Sequence, residues 1–200
     1  MDVFECIFSL KRYTKFSERE IDDRIIGVIL EAATHAPSAG NLQEWEFIVV
    51  KDKEMKSKIA EAALHQKFLE DAPVLIVVCA DLEKAKLKYE ERGERLYSIQ
   101  DTAYATMLLI VASRALGLGS CLVQAMDEEE MRRILALPTY KRPMCIVAIG
   151  YPAEEPEVPP HIPFENLSWL NVHGERFEIE SKTIVDYIKK VLSKMRKKKK

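Results

Sequence analysis

The sequence predicts one α+β domain, a single sheet covered by helices, with an α/β arrangement of the same elements as the alternative. Three observations lead there. PVLIVVCA over Pro73 to Ala80 and MCIVAIGY over Met144 to Tyr151 are short, continuously apolar runs, as strands buried on both faces are. Helical patterns intermix with these strands and are longer. One helical stretch, IQDTAYATMLLIVASRAL within Ser98 to Leu116, has few charges over about five turns. A helix apolar on nearly every side belongs in a core or in a large interface.

In chain order, Val3 to Lys11 reads as a short amphipathic helix. Ser17-Glu18-Arg19-Glu20 has the form of a capping box and predicts a helix from near Glu18, with Ile21, Ile25, Val28, Ile29 and Ala32 at helical spacing. That helix must stop before Pro37, whose ring disfavours helical geometry in the residue ahead of it. A corner follows, then a strand from Trp45 to Lys51 and a helix from Lys53 to Ala63. After the strand Pro73 to Ala80 comes a charged, exposed helix, Leu82 to Glu94. Gly117-Leu118-Gly119 stops the long apolar helix. Cys121 to Ala125 is a strand, Asp127 caps a helix from Glu128 to Leu135, and Met144 to Tyr151 is the last buried strand. The chain then turns proline-rich and irregular before a final helix, Ser181 to Lys194. With no repeat and no long linker, residues 1–180 are expected as one domain and 181–200 as a C-terminal helix with a basic tail.

Composition narrows the function classes. The 200 residues are 48% hydrophobic with a net charge of −2, yet the twelve residues from Lys189 carry eight cations and no acid. The body is therefore acidic, which argues against nucleic-acid binding. No run of apolar residues is long enough to span a membrane. The N-terminus reads as an ordinary helix rather than a signal peptide. Cys6, Cys79, Cys121 and Cys145 form no paired motif and read as buried reduced thiols, consistent with a cytoplasmic setting.

Several chemistries lack their residues. GLGSCL has the first two glycines of a dinucleotide loop, but they end a helix and precede a strand, and the third is missing. His35, His65, His161 and His173 are not at metal-ligand spacing. Ser38 has no nucleophile-elbow context. Two clusters remain. Lys11-Arg12-Tyr13-Thr14-Lys15 combines cations with a hydroxyl, a composition suited to phosphate. PSAGNLQ, from Pro37 to Gln43, sets hydroxyl and amide groups around Gly40, a composition suited to the polar edge of a heterocycle.

Together these clusters resemble the FMN-dependent nitroreductase family. LKRYTKF is similar to its N-terminal basic motif. APSAGNLQEWEFIVV is similar to its P-S-x-x-N-x-Q-P-W segment, with Glu44 in place of the proline. QDTAYATMLLIVASRALGLGSCLV, followed by VAIGYPAEEP, is similar to its central helix, glycine stop and last core strand. The resemblance runs from about Val3 to about Leu167. It implies a nitroreductase-like fold, a mixed and mainly antiparallel sheet flanked by helices, in a homodimer with the long apolar helix at the interface. It implies FMN as cofactor and NAD(P)H as reductant. NAD(P)H would reduce the flavin by hydride transfer to N5 and leave. A small electron-poor acceptor, nitroaromatic or quinone, would then be reduced, with the flavin rather than a side chain carrying the chemistry. By the same resemblance Arg12, Tyr13 and Thr14 contact phosphate and ribityl oxygens, and Pro37, Ser38, Ala39 and Asn41 meet the ring. Gln43 and Trp45 fix that corner to the strand behind it, and Gln124 and Ala125 approach the ring near N5. His161 stands where an arginine usually reaches the phosphate. Reductive dehalogenation, flavin breakdown and non-enzymatic flavin binding are the alternatives on the same fold.

Overall fold

A computed structural model describes residues 3–158, 160–179, 186–190 and 193. The chain divides into two compact units, Met1–Val158 and Pro159–Lys200, so the division comes earlier than the boundary expected at residue 180. In the second unit, Trp169 and Arg176 form an isolated bridge. Of the final helix, residues 186–190 are helical, and most of the basic tail lies outside the described residues.

The first unit begins with α1 (Val3–Phe8) and α2 (Asp23–Thr34), followed by β1 (Trp45–Val50), α3 (Lys53–Ala62) and the short α4 (Phe68–Asp71). Next come β2 (Val74–Asp81), α5 (Leu82–Arg92), α6 (Ser98–Ala115) and β3 (Gly119–Val123), then α7 (Glu128–Ile134) and β4 (Lys141–Gly150). The strands form one sheet in the order β1-β2-β4-β3. All described strand pairs are antiparallel, where a mixed sheet was expected. The cause is β4, which runs between β2 and β3 and opposite to both.

The continuous apolar reading of β2 has a direct cause. Alternate residues point to opposite faces of a strand. Leu75, Val77 and Cys79 pack with Ile59, Leu69 and Met131 on one side. Val74 and Ile76 pack with Ile26, Ile29 and Leu109 on the other. Both faces are dry, so no polar alternation survives.

Two expectations need correction. Helix α2 starts at Asp23, not near Glu18, and its N-cap is Asp22, whose side chain accepts the Arg24 N–H. The Ser17 N–H is already committed to the Tyr151 carbonyl at 2.8 Å, and Phe16 bridges Pro152. The segment is thereby drawn along the end of β4 and cannot coil. Helix α6 is long and lightly charged as expected, but apart from Leu109 its buried face is small or polar: Ser98, Asp101, Thr102, Ala105, Thr106 and Ser113. These hydroxyls donate back to carbonyls four residues earlier, Thr102 to Ser98 at 2.6 Å and Thr106 to Thr102 at 2.7 Å. The larger Ile99, Tyr104, Met107 and Leu116 are exposed.

Close packing also fixes glycines. A Cβ on Gly150 would lie 2.6 Å from the Phe16 ring and 2.7 Å from Pro73 Cδ, while one on Gly27 would meet nothing within 4 Å. Gly150→Ala is therefore expected to lose about 1–3 kcal/mol through overpacking. Gly27→Ala, in exposed helix, is expected to gain about 0.5–1 kcal/mol. Urea denaturation of the two variants beside the parent checks both signs.

Candidate functional site

The corner between α2 and β1 is strained. Gly40, Asn41 and Gln43 have φ of 54°, 58° and 53°. Left-handed geometry costs roughly 1–3 kcal/mol for a residue with a side chain, so surrounding contacts must impose it. They come from three directions. The Ala39 N–H donates to Asp101 Oδ2 of α6 at 2.7 Å. From α5, Lys88 donates to the Gly40 carbonyl at 2.9 Å and Lys84 to the Gln43 carbonyl at 3.0 Å. Within the corner, the Gln43 N–H reaches Ser38 Oγ at 3.0 Å and its side-chain amide reaches Asn41 Oδ1 at 3.1 Å.

The result is a rigid projection whose outer surface is polar. Pro37 and Asn41 are exposed, and Ser38 and Ala39 are partly so. Gln43 ties the corner to itself rather than to the strand, correcting the expectation. Trp45 makes that tie: it is buried against Ala36 and Ala105 at the start of β1.

Behind the corner lies a feature the sequence reading did not foresee. Glu44 and Asp101 are 1% and 3% exposed. Neither carboxyl oxygen of Glu44 makes a well-formed hydrogen bond, and the polar groups against them are its own backbone N–H and the Asp101 carboxyl. Two buried carboxyls in contact cannot both ionise cheaply and share one proton instead. Asp101 accepts the Ala39 N–H, and the proton is placed on Glu44, whose acidity burial weakens. Burial first, then Asp101, pushes Glu44 up to about 7.

The basic segment lies along β3, at the opposite edge of the sheet from β1. The Tyr13 N–H donates to the Ser120 carbonyl at 3.1 Å. The Tyr13 ring is buried against Gly119, and its hydroxyl donates to Glu155 at 3.2 Å. Tyr13 therefore faces inward, and its hydroxyl is committed. Lys11 pairs with Glu155 and Lys15 with Glu154. Arg12 is exposed, sits 5.2 Å from the centre of the Phe68 ring, and has no carboxylate partner among the described residues. Thr14 is partly exposed beside it.

Gln124 and Ala125 follow β3 and are exposed. Gln124 lines a cavity of about 180 Å³ between α6, β3 and β4, with Thr102, Thr106, Met107, Leu122 and Cys145. Helix α6 thus connects two of the expected regions: Asp101 grips the corner and the adjoining Thr102 faces the cavity of Gln124. The corner and Arg12 are not brought together within a protomer. They lie at opposite edges of a four-stranded sheet, three strand spacings or roughly 14 Å apart in that direction alone. His161 is exposed in the second unit.

The other chemistries stay closed. All four cysteines are free and buried. Burial pushes the Cys79 thiol up to about 12 and Cys145 to about 11, so neither offers a thiolate near neutrality. Among the described residues no cluster could hold a metal ion, and no helix is long and apolar enough to cross a membrane.

The nitroreductase family model matches residues 11–66 and 60–151, which hold the basic segment, the corner, the whole sheet and α6. This chain belongs to the nitroreductase family. An NADH dehydrogenase of Thermus thermophilus is 35% identical over 186 residues, covering 80% of this chain and 89% of that protein. An FMN reductase [NAD(P)H] of Bacillus subtilis is 28% identical over 193 residues, 90% of this chain and 78% of its own length. The solved structure of NfrA2 from B. megaterium superposes with a TM-score of 0.79 at 25% identity, covering 100% of this chain and 85% of that one.

The buried pair makes a stability prediction. A carboxyl raised from an ordinary 4.5 to about 7 binds its proton more tightly folded than unfolded. Its contribution is complete below the unfolded value and is lost as pH rises through the folded one. Stability should therefore fall between about pH 4.5 and 7, by up to roughly 3 kcal/mol. Urea midpoints measured across that range should show this fall in the parent, and Glu44→Gln should lack it.

Proposed function

We propose that this nitroreductase-family chain is an FMN-dependent NAD(P)H oxidoreductase that reduces small electron-poor acceptors of nitroaromatic or quinone type, and that it works as a homodimer. The observation that carries the reading is the corner from Pro37 to Asn41. It is strained, externally clamped, and polar on its open face. A chain maintains such strain where something must be met in a fixed geometry.

The residues suit a phosphate-bearing flavin. Ser38 and Asn41 present a hydroxyl and an amide for the polar edge of a ring, while Pro37, Ala39 and Gly40 shape the approach. Among the described residues Arg12 is a cation with no acid to neutralise it, and with the Thr14 hydroxyl it forms a phosphate grip. The resemblance assigns His161 a further phosphate contact, and Gln124 and Ala125 the flank of the ring. Bound FMN would supply the redox chemistry, accepting hydride from NAD(P)H and passing it to the acceptor. The protein's part is to fix the ring and keep it flat against a rigid corner. Such a site needs no side-chain nucleophile, in keeping with protonated, buried thiols.

A second copy of the chain resolves the separation between corner and cation. One protomer's corner and another's β3 edge can face a single flavin across a two-fold interface. The surface is suited to this. Phe4, Ile7 and Phe8 of α1 and Ile99, Tyr104 and Met107 of α6 are exposed apolar residues. Helices α1 and α6 are joined by the Arg114 to Ser9 hydrogen bond at 2.9 Å. An apolar face of this kind marks an interaction site.

The test is a visible absorption spectrum after FMN is added and excess removed, then NADH or NADPH without oxygen. Retained flavin bands that bleach are expected. Bands that do not bleach would indicate a flavin carrier, and no retained bands would remove FMN from the account. Arg12→Ala should weaken FMN binding by about 10–100-fold, the worth of a charged hydrogen bond. Lys15→Ala, which breaks an exposed ion pair, should stay within a few-fold. Fluorescence titration measures both.

A further inference from the structure

The proton held between Glu44 and Asp101 lies directly behind the flavin-facing corner. We propose that Glu44 is a positioning residue whose proton latches this corner, so that flavin affinity rises and falls with proton uptake at Glu44. The proposal rests on the flavin reading above and concerns how that same site is set.

The geometry decides which part gives way when the proton leaves. Glu44 is pinned by its backbone: its carbonyl accepts the Asp81 N–H at 2.7 Å, and Trp45 next to it is buried and paired with Ala80. Asp101 sits in the first turn of the packed helix α6. In front of them stands the exposed corner, held to Asp101 by the Ala39 N–H. With the proton in place, Asp101 accepts from Glu44 on one side and from Ala39 on the other. Without it, two carboxylates face each other where water does not reach, with the Glu44 backbone N–H as a poorly formed donor. Relief requires Asp101 to turn away or the corner to open and admit water, and either breaks the Ala39 contact. The three left-handed residues then lose the anchor nearest their start.

The charged surroundings do not cancel this. Lys84 of α5 keeps its charge while donating to the Gln43 carbonyl and favours the ionised form, but burial and Asp101 outweigh it. Lys88 donates to the Gly40 carbonyl. At the end of β2, Asp81 pairs with Lys141 of β4, which also binds Glu46 of β1. The Asp101 carboxyl is the acid against Glu44. The position of Glu44 between these groups, with its acidity raised to about 7, puts the latch within the physiological range.

Two measurements test the proposal. In the apoprotein, infrared difference spectra should show a protonated-carboxyl stretch near pH 6 that is gone by about pH 8, and Glu44→Gln should lack it. FMN titrated by fluorescence should bind the parent about tenfold more weakly near pH 8 than near pH 6. Glu44→Gln should lose that dependence and keep the tighter value, because its amide donates to Asp101 at every pH. The FMN phosphate titrates near pH 6 itself, but equally with both proteins, so the comparison removes it. A parent without the carboxyl band, a parent with flat affinity once the phosphate is allowed for, or a variant that keeps the slope would overturn the latch. Should the variant fail to fold, calorimetry of the parent near pH 8 in buffers of different ionisation heat decides. About one proton taken up per flavin supports the latch, and none sinks it. FMN binding that shows no latch refutes this inference alone. FMN failing to bind at any pH refutes the flavin reading and the latch with it.

Discussion

A hydrogen bond from the Ala39 N–H to the Asp101 carboxylate joins the two parts of the molecule on which everything else depends. One is α6, the helix that packs on the sheet and carries exposed apolar side chains outward. The other is the corner that precedes β1. Asp101 makes this bond while buried beside a second carboxyl, so a run of left-handed residues is anchored on a buried acid pair.

The fold serves this arrangement by being dry on both faces. Layers of aliphatic side chains on either side of β2 and β4 fix the strand ends from which the corner and Gln124 project. Most polar groups inside are satisfied locally, as the hydroxyls of α6 are by carbonyls one turn earlier. Glu44 differs, with both carboxyl oxygens buried and against a second acid. A group of that kind is costly unless it carries its proton.

Much of this was legible in the sequence. Apolar runs marked β2 and β4 because burial on both faces leaves no alternation. Pro37 and Gly40 marked the corner because one stops a helix and the other accepts positive φ. The motif order marked the family. What stayed hidden depends on contacts between distant positions. Lys84 and Lys88 look like any solvated pair on a charged helix, and nothing local says that they reach the corner. Glu44 stood out as a departure from the resembled segment, but its partner lies far along the chain. Asp101 carried a faint signal, a lone acid in an apolar helix. The start of α2 was misplaced because a tertiary bond to Tyr151 took the backbone that the capping box needed. Lys11 and Lys15 looked free in sequence, and only the fold shows them paired with Glu155 and Glu154.

The central claim is that the Pro37–Asn41 corner holds a flavin ring whose phosphate lies on Arg12 at the β3 edge of a second copy. A crystal structure of the protein grown with FMN tests it most directly. The account predicts the polar edge of the ring against Ser38 to Asn41, with the Ala39–Asp101 bond intact and the phosphate on Arg12 across a two-fold interface. A flavin bound elsewhere, or a ring and phosphate both gripped within one protomer without the corner, would contradict it.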